Sequence, residues 1–144
     1  MFRKTAFAAL LAFSATAAQA ADIVMHRSEG CGCCLEWAAR MKAAGHTVKV
    51  VNNPDMAAFK KKAGVQQGYA SCHTSRVAGY TIEGHVPAAD IALLLKEKPK
   101  NAIGLAVPGM PMGSPGMEHG NHVQPYATLL LMKDGTTRVW ARHS

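Results

Sequence analysis

The chain has 144 residues, a formal net charge of +7, 49% hydrophobic residues and 6% aromatic ones. That length suits one domain with a real buried core. The basic residues are scattered, and their single run, Lys60-Lys61-Lys62, reads as the solvated face of a helix. With no basic stripe interleaved with aromatics, nucleic acid is a poor fit as a partner.

In chain order, Arg3 and Lys4 form a short basic segment, Thr5 to Phe13 an apolar one, and Ala18-Gln19-Ala20 a small-x-small cleavage signal. This is the pattern of a secretory signal peptide over 1–20, its apolar stretch too short for a permanent membrane span. The mature chain would then begin at Ala21 with 124 residues and, without Arg3 and Lys4, a net charge of +5. No later stretch approaches the ~20 unbroken apolar residues of a membrane helix. A soluble periplasmic protein, not inserted in a membrane after cleavage, is expected. With no long apolar stripe to demand a partner, it is expected to be a monomer.

Ile23 to Arg27 reads as a strand. Cys34, Trp37, Ala38, Met41 and Ala44 then fall on one helical stripe capped by Gly45. Thr47 to Val51 is β-branched and reads as a strand. Asn53-Pro54-Asp55 predicts a helix start, with Asn53 as cap and Pro54 at the first position, running to about Gly64. Thr74 to Val77 and Tyr80 to Glu83 read as strands turning at Ala78-Gly79, and Pro87 opens a helix to about Lys98 with Ile91, Leu94 and Leu95 inward. The order β-α-β-α-β-β-α over residues 22–98, with a C-x-x-C at the start of the first helix, is that of a thioredoxin-like α/β domain, here 21–98. Residues 99–144 read as an extension. Ala102 to Gly120, crowded with Gly and Pro, predicts an irregular loop. Tyr126 to Met132 and Thr136 to Ala141 predict a hairpin turning at Asp134-Gly135.

Cys31-Gly32-Cys33-Cys34 places three of the four cysteines within four positions. In an oxidising compartment cysteines ordinarily become disulfides. Four allow three pairings, yet adjacent Cys33 and Cys34 bridge badly and Cys31 to Cys33 closes a very small ring. The spacing suits a disulfide switch or a soft-metal site better than a structural framework. Cys31 sits at the positive end of the helix, which favours its thiolate, and Cys34 one turn later can form a disulfide with it. Cys33 is a third sulfur that disulfide cycling does not need. Cys72 stands at the start of the third strand, which in thioredoxin-like folds faces the first helix's N-terminus, so a fourth sulfur should converge there. Packing beneath the helix is the alternative for Cys34, and a core position or structural disulfide the alternative for Cys72.

Met110, Met112 and Met117, followed by His119 and His122, lie on the Gly/Pro loop. Thiolate, thioether and imidazole together suit copper, particularly Cu(I), while zinc also accepts Cys and His. The methionines can equally be apolar cover for the core. His85, just before Pro87, is a ligand candidate or a polar surface residue. His73 should point away from Cys72 if the strand is regular. His26 is a weaker candidate, and His46 and His143 look like surface residues.

The segments Cys31-Gly32-Cys33-Cys34, Ala70-Ser71-Cys72-His73-Thr74, Gly79 to Pro87 (GYTIEGHVP) and Ala106 to Pro111 (AVPGMP) resemble the CopG-like family of exported bacterial copper-resistance proteins, over nearly the whole mature chain. The resemblance implies a thioredoxin-like domain whose extension helps bind metal. It also implies a copper site bridged by cysteine sulfur, interconverting Cu(I) and Cu(II) beside an efflux system. By position, Cys31, Cys33, Cys34 and Cys72 match the family's cysteines, His85 its Gly-His-Val-Pro segment and Met110 its Pro-Gly-Met-Pro segment. Met117 and His119 fall outside these segments and are candidates on their chemistry alone. The expectation is a copper protein holding one or several ions per chain and exchanging them with efflux or chaperone proteins. Two rivals stand beside it: a metal-free thiol–disulfide oxidoreductase using Cys31 and Cys34, and a passive copper chaperone or buffer.

Overall fold

The computed structural model describes residues 20–144, so the predicted leader lies outside the described residues apart from Ala20. The elements run β1 (Asp22–Arg27), α1 (Gly32–Ala43), β2 (Thr47–Asn52), α2 (Met56–Lys62), a 3₁₀ turn (Gln67–Tyr69), β3 (His73–Val77), β4 (Tyr80–Glu83), α3 (Ala88–Glu97), β5 (Ala102–Ala106), β6 (Tyr126–Met132) and β7 (Thr137–His143). Among the described residues, seven strands join one mixed sheet in the order β2-β1-β3-β4-β5-β6-β7. β1 and β2 are parallel, with Ile23 beside Val48 and Met25 beside Val50. β3 runs antiparallel to β1 and β4, and β5 runs parallel to β4 across α3.

Period-2 alternation sends Ile23 and Met25 to one sheet face, where they share the apolar cluster with Trp37 and Met41 of α1, Ile91 and Leu94 of α3, Ile82 and Leu105. The other face of β1 presents His26 to α2, where its ring stacks on Phe59 at 4.0 Å between centroids. The core therefore fixes α1, and with it the N-terminal turn that carries the cysteines.

Several expectations are corrected. Ala102–Ala106 is a strand rather than loop: Leu105 and Ala106 are fully buried. Gly104 is needed there because a Cβ would lie 1.7 Å from the Thr81 carbonyl oxygen, so a residue that reads as a breaker is a close-approach site. The cap of α2 is Asp55, two residues later than expected, its carboxylate accepting the Ala58 N–H. Ala44 lies beyond α1 and is exposed. Lys60 is no solvated residue: its ammonium reaches the buried Glu83 carboxylate at 2.5 Å and Thr74 Oγ1 at 2.9 Å. His46 is buried and its Nδ1 accepts the Ala21 N–H. His143 is half-buried, donating from Nε2 to Asp90 at 2.9 Å, while the Thr128 hydroxyl donates to the same carboxylate oxygen at 2.5 Å. This contact ties β6 and β7 to α3.

Candidate metal centre

Cys31 is the N-cap of α1, but its sulfur makes no cap hydrogen bond. The Arg27 guanidinium donates to the Cys31 carbonyl at 3.0 Å, setting a positive charge beside a helix N-terminus that already favours anions. Cys31 and Cys34, one turn apart with Cα atoms 5.5 Å apart, are joined as a disulfide, while Cys33 and Cys72 are free. Cys34 is fully buried and Cys31 only half so.

Cys33 Sγ lies 3.6 Å from Cys31 Sγ and 3.9 Å from Cys72 Sγ. Two segments 39 residues apart thus bring their sulfurs together. Cys72 in turn lies 3.1 Å from His73 Nδ1 and 3.0 Å from His85 Nε2. Among the described residues, two groups of side chains could each hold a metal ion, Cys31/Cys33/Cys34/Cys72 and Cys72/His73/His85, with donor atoms within 4.8 Å of one another in each and Cys72 common to both.

His73 is the residue that sequence reasoning sent to the wrong side. Cys72 precedes β3 rather than standing in it, so strand alternation does not separate the two side chains. His73 is fully buried, held between the Trp37 ring at 4.7 Å and the His85 ring at 5.0 Å. Its Nε2 finds no hydrogen-bond partner among the described residues. His85 is also fully buried, and its Nδ1–H donates to the Pro115 carbonyl at 2.8 Å. A carbonyl only accepts, so in the neutral ring the Nε2 lone pair is left facing Cys72. That is how ligating histidines are commonly oriented.

The loop following β5 supplies that carbonyl. Gly116, at φ +85, packs so tightly on α1 that a Cβ would lie 2.6 Å from the Trp37 amide nitrogen and 3.0 Å from the Cys33 carbonyl oxygen. Trp37 Nε1 donates to the Val86 carbonyl at 2.9 Å, fixing the segment that carries His85. On the Cys72 side, Glu83 accepts the Ser71 N–H at 2.7 Å, the Thr74 hydroxyl at 2.6 Å and the Lys60 ammonium. Nothing in the sequence flagged Pro115 or Gly116 beyond loop composition, because their roles rest on backbone atoms.

Burial sets the protonation states. It is the main cause raising the Cys72 thiol to about 12, with the adjacent Cys33 sulfur adding to it. Burial likewise lowers His85 and lowers His73 further, the neighbouring His85 contributing to the latter. Without a cation the cluster is thus a thiol with neutral imidazoles. A soft cation would displace the thiol proton and gain neutral nitrogen donors already stripped of water.

Of the remaining candidates, Met110 and His119 are exposed and Met117 is half-buried, its backbone held within the loop by bonds to Gly113 and Ser114. His119 pairs with exposed His122 across an isolated bridge and belongs to neither group of converging donors. His26 lies at the Phe59 stack on the other face of the sheet.

The family described as "Protein of unknown function, DUF411" matches residues 69–117, which include Cys72, His73, His85, Met110 and Met117. A solved structure named "Copper resistance protein copG- Form 2" is 40% identical over 88% of this chain and 100% of its own, with a TM-score of 0.83. The chain belongs to the CopG-like copper-resistance family. A second solved form of the same name is 41% identical over 87% of this chain and 98% of its own, at a TM-score of 0.82. No curated protein matches the chain. Membership of the CopG-like family, together with a cysteine and histidine cluster able to hold a metal ion, supports a copper-related role.

Proposed function

We propose that this is an exported copper-handling protein of the bacterial periplasm. The cluster of Cys31, Cys33, Cys34, Cys72, His73 and His85 takes copper as cargo and redox substrate. The observation that carries the reading is the position of Cys72, 3.9 Å from Cys33 Sγ and 3.0 Å from His85 Nε2, which gathers soft donors from three segments. Sulfur with neutral imidazole suits copper and tolerates both Cu(I) and Cu(II). The orphaned, buried Nε2 of His73 fits a site built for more than packing. Because Cys72 belongs to both donor groups, a bridging thiolate and more than one ion per chain are part of the proposal. Met110, Met117 and His119 on the covering loop are proposed as accessory donors when the loop engages the metal.

The strand order β2-β1-β3-β4 with the motif at the start of α1 supports a thioredoxin-like unit over 21–98. Residues 99–144 then form an extension that lengthens the sheet and covers the site. Residues 1–20 are proposed as a cleaved leader, the mature protein as a monomer, and efflux or chaperone proteins as the parties that exchange copper with it. The test is elemental analysis after copper loading and desalting. One or more tightly held copper ions per chain, reduced in Cys33→Ser, is the expected result. Less than one, with no change in the variant, overturns the proposal.

The Cys31–Cys34 disulfide favours a second reading, a metal-free thiol–disulfide oxidoreductase. It predicts that Cys31→Ser and Cys34→Ser abolish turnover of a disulfide substrate while Cys33→Ser and Cys72→Ser do not.

A further inference from the structure

Of the six single disulfides that four cysteines allow, the one formed joins Cys31 to Cys34 and leaves free Cys72, the sulfur beside the imidazoles, and its neighbour Cys33. Cys33 and Cys72 stay free 3.9 Å apart, and His85 Nε2 and His73 Nδ1 lie 3.0 and 3.1 Å from Cys72. The oxidised protein thus keeps two sulfur and two nitrogen donors in one connected set, and reduction adds two more sulfurs beside it. Cys33 links the two halves, its sulfur 3.6 Å from Cys31 and 3.9 Å from Cys72. The pair that changes oxidation state and the pair that need not change are in contact.

We propose that Cys31 and Cys34 form a two-electron store that reduces incoming Cu(II), while Cys33, Cys72, His73 and His85 keep the Cu(I) produced. The inference rests on the copper reading and joins it to the disulfide chemistry. Two Cu(II) ions each gain one electron and become two Cu(I). The Cys31 and Cys34 thiols lose both protons to solvent and their sulfurs join in one bond. Copper is the sole oxidant, so electrons and atoms balance.

The direction follows from donor chemistry. Thiolates stabilise Cu(I) far more than Cu(II), and the donors that remain after the step still include two sulfurs. Resetting the store takes an external dithiol. One of its thiolates attacks the half-exposed Cys31 sulfur and expels buried Cys34 as the thiolate. Its second thiol then displaces Cys31 and leaves as part of the external disulfide.

The experiment starts from fully reduced protein, freed of reductant under anaerobic conditions and given two equivalents of Cu(II). Three quantities are read: Cu(I) by a Cu(I)-selective chelator after denaturation, retained copper by elemental analysis after desalting, and thiol status by alkylation and peptide mapping. The expected result is two Cu(I) per chain, a Cys31–Cys34 linked peptide, and Cys33 and Cys72 both alkylated. Cys34→Ser should lose at least half of the Cu(I) yield per copper retained. Cys31→Ser, at a less buried position, gives the same comparison if Cys34→Ser does not fold. Four alkylatable thiols after copper addition, or a disulfide through Cys33 or Cys72, overturns the store. If copper is nonetheless retained, the copper reading survives that failure. If no copper is retained in any form, the copper reading fails and the store falls with it.

Discussion

Gly116 offers a test of how the extension builds the centre. Gly116→Ala would place a methyl group 2.6 Å from the Trp37 amide nitrogen and 3.0 Å from both Trp37 Cα and the Cys33 carbonyl oxygen, at φ +85. An L residue in the left-handed region costs roughly 1–2 kcal/mol by itself. The neighbours are helix backbone and cannot rotate aside, so the loop has to lift. Lifting removes the Pro115 carbonyl from His85 Nδ1, a buried hydrogen bond worth about 1 kcal/mol. The expected loss is therefore about 2–3 kcal/mol. Gly45→Ala is the matched control: φ is +97 but nothing lies within 4 Å of the added Cβ, so about 1–2 kcal/mol of conformational cost should appear alone. Equilibrium urea unfolding, followed by fluorescence of buried Trp37, gives both values. Copper retention should fall in Gly116→Ala, with His85 no longer oriented, and stay unchanged in Gly45→Ala. Equal destabilisation and equal copper retention in the two variants would refute the docked loop.

Three further outcomes follow from buried polar contacts. Thr128→Val should cost about 1–3 kcal/mol in urea unfolding, because it leaves the Asp90 carboxylate, buried beneath the C-terminal hairpin, short of a donor. Lys60→Met should cost about 2–4 kcal/mol near neutral pH, since it strands the fully buried Glu83. Burial raises Glu83 above the usual carboxylate range; a raised folded pKa means stability present at low pH and lost as pH rises, so this deficit should shrink when unfolding is measured near pH 5. Burial lowers His26; its contribution is therefore present above the ordinary histidine pKa of about 6.5 and lost as pH falls below it. In His26→Phe, which keeps a ring against Phe59, the acid-side slope of stability against pH should be shallower than in the parent.

Local patterns that match their surroundings were readable from sequence. β1, β2, β3 and β4 follow from β-branched runs, α1 from the Cys34, Trp37, Ala38 and Met41 stripe, and the Ala78-Gly79 turn from two residues that both take positive φ. What stayed hidden was decided by partners distant in the chain. β5 contains Gly104 only because Thr81 approaches it. Lys60 turns inward only because the buried Glu83 carboxylate lies there. His46 and His143 look like surface residues by type, yet Ala21 and Asp90 hold them. The convergence of Cys72 on the C-x-C-C motif was legible, since fold order places the start of the third strand opposite the helix end. The role of His73 was not, because alternation was applied to a residue just outside its strand. The part played by Pro115 lies in a carbonyl, which every residue type has.

The copper proposal requires sulfurs from both segments and buried imidazole nitrogens to bind the same metal. Copper K-edge absorption on the copper-loaded protein measures this directly. The predicted spectrum contains both sulfur and imidazole nitrogen scatterers, with the sulfur contribution reduced in Cys72→Ser and the imidazole contribution reduced in His85→Ala. A first shell of oxygen and nitrogen alone, indifferent to Cys72→Ser, would contradict it.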